Sequence, residues 1–196
     1  PDARTLPMMQ AMSLESRLAT DAGAGVRATF EDGTGRLLEV VVPSGSPRGN
    51  VSKMMNLPET HVRLEDRWLE GHVGYISLNI FLDPPRVMDA FGKAVERYRD
   101  GGARGLVIDL RGNPGGVGAM AMGMGGWFVD RPNLRLGEMI TRAGRLKFVL
   151  NPRLEPYMGP LAVLVDECSA STSEILAGGL KDIGRARVFG VATPGM

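Results

Sequence analysis

The chain has 196 residues, 43% hydrophobic and 23% charged, with 23 basic against 22 acidic side chains and a net charge of +1. That length buries roughly 70% of the unfolded surface, enough for a core without staples, and the even charge balance excludes a charge-driven nucleic-acid or polyanion partner. The single cysteine, Cys168, excludes an intramolecular disulfide, two scattered histidines make no usual zinc set, and no apolar run is long enough to span a membrane.

The sequence opens at Pro1, and Asp2, Ala3 and Arg4 lead into no apolar stretch of the signal-peptide kind. We expect a fragment, open at both ends. Residues 1–70 are weakly patterned. Within them 24–42 reads as a hairpin: Val26, Ala28 and Phe30 alternate, Glu31 to Gly35 turns, and Leu37 to Val42 returns. Pro43 to Asn50 is a loop by composition. Asn50-Val51-Ser52 matches a glycosylation acceptor, a triplet that arises often by chance.

From residue 73 the pattern is firmer. Val73 to Leu78 is strand-like. Over 86–99, Val87, Phe91, Ala94, Val95 and Tyr98 share one helical face, with Arg86, Asp89, Lys93, Glu96 and Arg97 outside. Pro84 and Pro85 suit the start of that helix and Gly101-Gly102 its end. Leu106 to Leu110 is a near-continuous apolar run, as in a strand covered on both faces. A glycine-rich loop at 112–116 leads to a helical turn through Met120 and Met124. Leu161 to Val165 reads as a buried strand, 172–183 as a helix and Arg187 to Val191 as a strand. Alternating strands and helices make this an α/β layer structure.

Two segments can carry chemistry. In Asp166-Glu167-Cys168-Ser169-Ala170-Ser171-Thr172-Ser173-Glu174, a strand runs out through small hydroxylated residues into a helix. The tight turn exposes a hydroxyl beside unpaired helix amides, which can stabilise an oxyanion. Ser171-x-x-Glu174 is equally a capping box. In Asp109-Leu110-Arg111-Gly112-Asn113-Pro114-Gly115-Gly116, a strand ends in a loop whose glycines let amides face outward, either as a nest for an oxygen or simply as a tight turn. No Lys-Ser or Lys-Thr follows, so it is not a phosphate loop.

Together, Arg111-Gly112-Asn113-Pro114-Gly115-Gly116 and Ser169-Ala170-Ser171-Thr172-Ser173-Glu174 resemble the two signature segments of the C-terminal-processing (tail-specific) serine peptidases, peptidase family S41. The flanks agree: Val73 to Ile76 resembles the strand that opens that family's core, Gly105 to Arg111 its central strand, and Leu176 to Gly190, with Asp182 to Ala186, the segment after the nucleophile. The resemblance implies a ClpP/crotonase-like spiral core of β-β-α units over 73–196. It implies a smaller β-rich N-terminal region over 1–72, fainter in its likeness to the end of a PDZ-type domain. It implies Ser171 as nucleophile, Glu174 as a supporting polar group, and an oxyanion hole from the amide of Thr172 with that of Gly115 or Gly116. Asp182 falls where the family often has an aspartate. The implied substrate is a polypeptide cleaved near its C-terminus, outside the cytoplasm, with no metal or cofactor.

A serine hydroxyl needs a base. Most of the family uses a lysine twenty-five residues after the serine, a position held here by Met196. A related branch, similar to tricorn protease, uses a histidine before the opening strand, and that count falls on Asp66. His61 is the candidate base among the two histidines. His72, adjoining the strand, reads as structural, and Lys181 as a solvated surface residue. The base lies beyond residue 196, or is an upstream histidine, or the scaffold binds peptides without cleaving them. A crotonase-type acyl-CoA enzyme is the remaining reading, which the serine-rich helix start fits poorly.

Overall fold

The computed structural model describes residues 3–18, 23–54, 56–142 and 144–196. Pro1 and Asp2, at the opening of the sequence, lie outside them. The N-terminal part folds into local pieces. A helix that the weak patterning hides, α1 (Leu6–Leu18), comes first, with Met8 its only buried side chain. The predicted hairpin follows as β1 (Gly25–Glu31) and β2 (Leu37–Pro43), with Val26 opposite Val42 and Phe30 opposite Leu38. The Asp32 carboxylate holds the turn by accepting from the Thr34 amide at 2.8 Å, the Thr34 hydroxyl at 2.6 Å and the Arg36 amide at 3.1 Å. All of β2 is exposed. A short pair, β3 (Asn50–Ser52) and β4 (Thr60–Val62), leads to the core.

The core sheet takes β5 (Leu64–Leu69), β6 (Val73–Leu78), β7 (Gly105–Asp109), β10 (Leu161–Val165) and β11 (Arg187–Gly190), in the order β11–β10–β7–β6–β5. Only β5 runs antiparallel to its neighbour; the other pairs are parallel. The sheet therefore starts before residue 73, because Leu64–Leu69 pairs along the whole of β6.

The stripe of Val87, Phe91, Ala94, Val95 and Tyr98 lies buried on α2 (Pro84–Asp100). The methionines of the glycine-rich stretch form α3 (Gly118–Gly125), with Met120 and Met124 buried, and α4 (Thr172–Asp182) follows β10. Gly74, Ile76, Leu78, Leu106, Ile108 and Val163 are buried on the sheet face toward these helices, and a Cβ on Gly74 would strike Tyr98 of α2. Alternate residues Val73, Tyr75, Val107, Ala162 and Leu164 are only half-buried. The apolar run of β7 is thus not covered on both faces: Val107 lines an open cleft of about 570 Å³ with Val73, Ala162 and Phe189. A second hairpin unread in the sequence, β8 (Leu134–Thr141) and β9 (Gly144–Leu150), bulges between Arg135 and Gly137. It lays Leu136 against Gly179 of α4 and Leu150 against Gly125 of α3.

Candidate active site

β7 and β10 are parallel neighbours, so their C-terminal ends leave the sheet at the same edge. The loops after them, 110–117 and 166–171, therefore lie side by side, and the two sequence segments meet. Asn113, fully buried, is the pin between them. Its Nδ2 donates to the Leu78 carbonyl at 2.7 Å, and its Oδ1 accepts the Gly115 amide at 2.9 Å. Its carbonyl accepts the Ala170 amide at 3.0 Å and the Ser173 hydroxyl at 2.9 Å. The buried Ser169 hydroxyl donates to the Leu110 carbonyl at 2.7 Å, and both Asp166 carboxylate oxygens accept the Gly112 amide at 2.9 Å. Thr172 Oγ1 donates to the Gly116 carbonyl at 2.9 Å. From the far side the Phe81 amide donates to the Gly115 carbonyl, and the Phe81 carbonyl accepts the Val117 amide, both at 2.8 Å.

Gly115 and Gly116 are required by close approach. At Gly115, φ is 100°, and a Cβ would lie 2.7 Å from the Ala170 carbonyl oxygen and 2.9 Å from both Ser171 Cβ and the Thr172 nitrogen. At Gly116, φ is 135°, and a Cβ would lie 2.3 Å from the Phe81 carbonyl oxygen. The two glycines differ in what their amides do. The Gly115 amide is taken by Asn113 Oδ1. The amides of Gly116 and Thr172 donate to no group among the described residues. Gly116 is exposed, Ser171 half-buried and Thr172 buried at 1%, so only the Gly116 side of this pair of residues lies at the surface.

Ser171 stands at φ 52° and ψ −111°. An N-cap residue ordinarily has extended backbone, and a serine in this region is strained by about 1–3 kcal/mol. Capping alone does not call for that conformation. The capping box is nonetheless there, with Glu174 Oε2 accepting the Ser171 amide at 2.7 Å. Glu174 does more: Oε1 accepts the Gly195 amide at 2.6 Å and Oε2 the Met196 amide at 3.1 Å. Met196 is thus held next to the Ser171 turn, at the position the lysine count reaches.

Burial, with Asp166, Glu167 and Glu15 around it, pushes the Cys168 thiol up, away from the reactive thiolate. Asp109 at the end of β7 is 6% exposed. Burial pushes its carboxyl up, but hydrogen bonds from Arg111 and Tyr75 outweigh that and hold it below its usual value. Arg111 Nη2 donates to it at 2.6 Å, as does the Tyr75 hydroxyl.

The other sequence candidates fall as follows. His61 lies on β4, its carbonyl accepting from Asn79 Nδ2 at 2.8 Å, and no hydrogen bond joins it to Ser171 among the described residues. His72 is structural: at φ 62° its ring donates to the Gly101 carbonyl at 2.7 Å and stacks on Trp68 at 4.4 Å. Asp66 accepts from Arg97 and from the Tyr98 hydroxyl. Lys181 and Asp182 are exposed on α4. Asn113, Asp166 and Phe81 went unassigned in the sequence; an asparagine before proline inside a glycine-rich loop was the available signal for the first. Among the described residues no cluster of three His, Cys, Asp or Glu is arranged to hold a metal ion, and no helix is long and apolar enough to cross a membrane.

Comparison with known proteins gives a consistent picture. The model of peptidase family S41 matches residues 72–196. The carboxy-terminal processing protease CtpB of Bacillus subtilis (strain 168) is 35% identical over 141 residues, covering 70% of this chain and 28% of that protein. A Staphylococcus aureus (strain N315) protein named "Probable CtpA-like serine protease" is 32% identical over 158 residues, covering 76% of this chain and 30% of that protein. The chain thus spans less than a third of the length of these relatives. In fold it is similar to the photosystem II D1 C-terminal processing protease, with a TM-score of 0.58 at 24% identity over 93% of this chain and 47% of that one. It is also similar to mature CPAF, with a TM-score of 0.55 at 15% identity over 89% of this chain and 54% of that one.

Proposed function

Because this chain belongs to peptidase family S41, we propose that it carries the catalytic core of a serine endopeptidase acting near the C-termini of polypeptides, with Ser171 as nucleophile. The observation that carries this reading is the Ser171 backbone, φ 52° and ψ −111° at a strand-to-helix turn, beside two amides with no partner among the described residues. Ser171 Oγ attacks the scissile carbonyl carbon and its proton passes to a base. The carbonyl oxygen, now an oxyanion, takes hydrogen bonds from the Thr172 and Gly116 amides. The tetrahedral intermediate collapses as the C–N bond breaks and the amine leaves with a proton; water then releases the acyl group. Gly115 supports this hole by shape, its own amide being bonded to Asn113.

His61 is the base candidate within this chain. Its carbonyl is bonded to Asn79, two residues before the Phe81 backbone that brackets Gly115 and Val117. The ClpP/crotonase-like spiral is the architecture this reading expects for the core, 73–196, with 1–72 as an N-terminal region whose last strand, β5, forms the edge of the core sheet. The relatives' names support polypeptide substrates, and a place outside the cytoplasm is part of this reading by family resemblance. Ser171→Ala in the protein abolishes cleavage of an unstructured substrate on this reading; undiminished cleavage would refute it.

Met196 favours a second reading. A thioether cannot take the serine's proton, and this one follows the Met196 amide that Glu174 holds beside the turn. The same scaffold without a base is a peptide-binding module, and a Ser171 that resists fluorophosphonate while the protein still binds peptides identifies it.

A further inference from the structure

We propose that Glu174 is a positioning residue that ties residues 195–196 to the nucleophile turn, so that the side chain at position 196 flanks Ser171. An ordinary capping glutamate spends one oxygen on the N-cap amide and leaves the other to water. Here both oxygens are engaged, and two of the three donors lie more than twenty residues away in sequence. Oε2 accepts the amides of Ser171 and Met196, at 2.7 and 3.1 Å, while Oε1 accepts that of Gly195 at 2.6 Å. One oxygen atom is therefore shared between the nucleophile's own peptide unit and that of residue 196.

The segment needs such an anchor. β11 ends at Gly190, and no helix or strand includes 191–196. Val191, Ala192, Gly195 and Met196 are exposed, and only Pro194 is buried. Its amides reach the core through Glu174, and a carboxylate suits the task because it accepts on both oxygens without donating. Charge-assisted bonds of this kind are stronger than neutral ones. Glu174 is half-buried in the first turn of α4, where the helix dipole also favours its charge. The carboxylate is thus a tether between the nucleophile turn and a segment with no secondary structure of its own. Its catalytic meaning rests on Ser171 being the nucleophile; the tether itself does not.

Two variants test it. In Glu174→Ala, amide hydrogen exchange at Gly195 and Met196 accelerates at least about tenfold while Ile108 and Val163, in the sheet, keep their protection. In Glu174→Gln one accepting oxygen remains, so the two amides lose protection unequally. Wild-type protection of both amides in folded Glu174→Ala overturns the tether. Fluorophosphonate labelling of Ser171, measured on the same proteins below their melting temperatures, tests the positioning role. It slows about tenfold or more in Glu174→Ala and recovers in part in Glu174→Gln. Unchanged labelling with both amides deprotected overturns that role. Should wild-type Ser171 not label at all, the peptidase reading fails, and the exchange result still decides the tether.

Discussion

Replacing Gly115 by alanine perturbs the candidate site through its backbone alone. The added Cβ would sit 2.7 Å from the Ala170 oxygen and 2.9 Å from both Ser171 Cβ and the Thr172 nitrogen, none of them the end of a flexible side chain. The φ of 100° is a second cost, about 1–2 kcal/mol for a residue with a Cβ. Overpacking of this kind costs about 1–3 kcal/mol. The combined loss, about 2–5 kcal/mol, lowers the melting temperature of a chain this size by roughly 4–20 °C. The loops can relieve the contact only by separating, which shifts Thr172 and Ser171 against Gly116, and displacements approaching an ångström cost about a hundredfold in rate. Thermal melts and fluorophosphonate labelling, run together, read both effects. Gly102→Ala is the control: its φ is 70° but its Cβ meets nothing within 4 Å, so it pays only the φ cost and labels normally. A Gly115→Ala protein that melts like Gly102→Ala and labels like wild type would refute the packing argument.

Four further outcomes are expected. Ser171→Gly relaxes the backbone at φ 52° and raises the melting temperature by about 2–6 °C, while Ser171→Ala, which keeps the Cβ, does not; both lose labelling. Asn113→Ala strands the Leu78 carbonyl and the Gly115 amide, and denaturant titration reads a loss of about 2–4 kcal/mol. Met196→Lys sets an amine beside Ser171 through the Glu174 tether, so labelling speeds up about a hundredfold as pH rises and the ammonium loses its proton; a flat pH profile counts against the placement of residue 196. Asp109 has its carboxyl held below the ordinary 3.8, so its stabilising effect is fully present above that pH and is lost as pH falls through the lower folded-state value. Acid titration of Asp109→Asn therefore shows a shallower loss of stability than wild type.

Elements whose burial is local in sequence were legible. The stripe from Val87 to Tyr98 and the apolar runs at 106–110 and 161–165 mark a helix and two strands, and the structure forms them within a residue or two of those bounds, though one face of the first strand is left open at Val107. α1 was not legible because its apolar residues, Leu6, Met8, Met9, Met12 and Leu14 among them, fall all round the helix and make no single stripe. β5 places Glu65, Asp66 and Arg67 in a row, which looks like a loop until its position at the sheet edge explains them. The bulge between Arg135 and Gly137 breaks the alternation that would have marked β8. At the candidate site, residue types pointed to Ser171, Thr172 and the glycine pair. Which glycine amide is free could not be read, because it depends on Asn113 folding back onto Gly115. The long reach of Glu174 to Gly195 was equally invisible, since nothing local to either residue encodes it.

The two loops are joined largely through carbonyl oxygens, those of Leu110, Asn113 and Gly116 receiving Ser169, Ala170, Ser173 and Thr172. Every amino acid brings a carbonyl, so residue identity on the accepting side is only loosely constrained by these bonds. A mutational scan should then show an uneven landscape. Exposed Pro114 would tolerate wide substitution, whereas an ester in place of the peptide amide at Ala170, made by chemical synthesis, would remove a hydrogen bond that no side-chain change can reach.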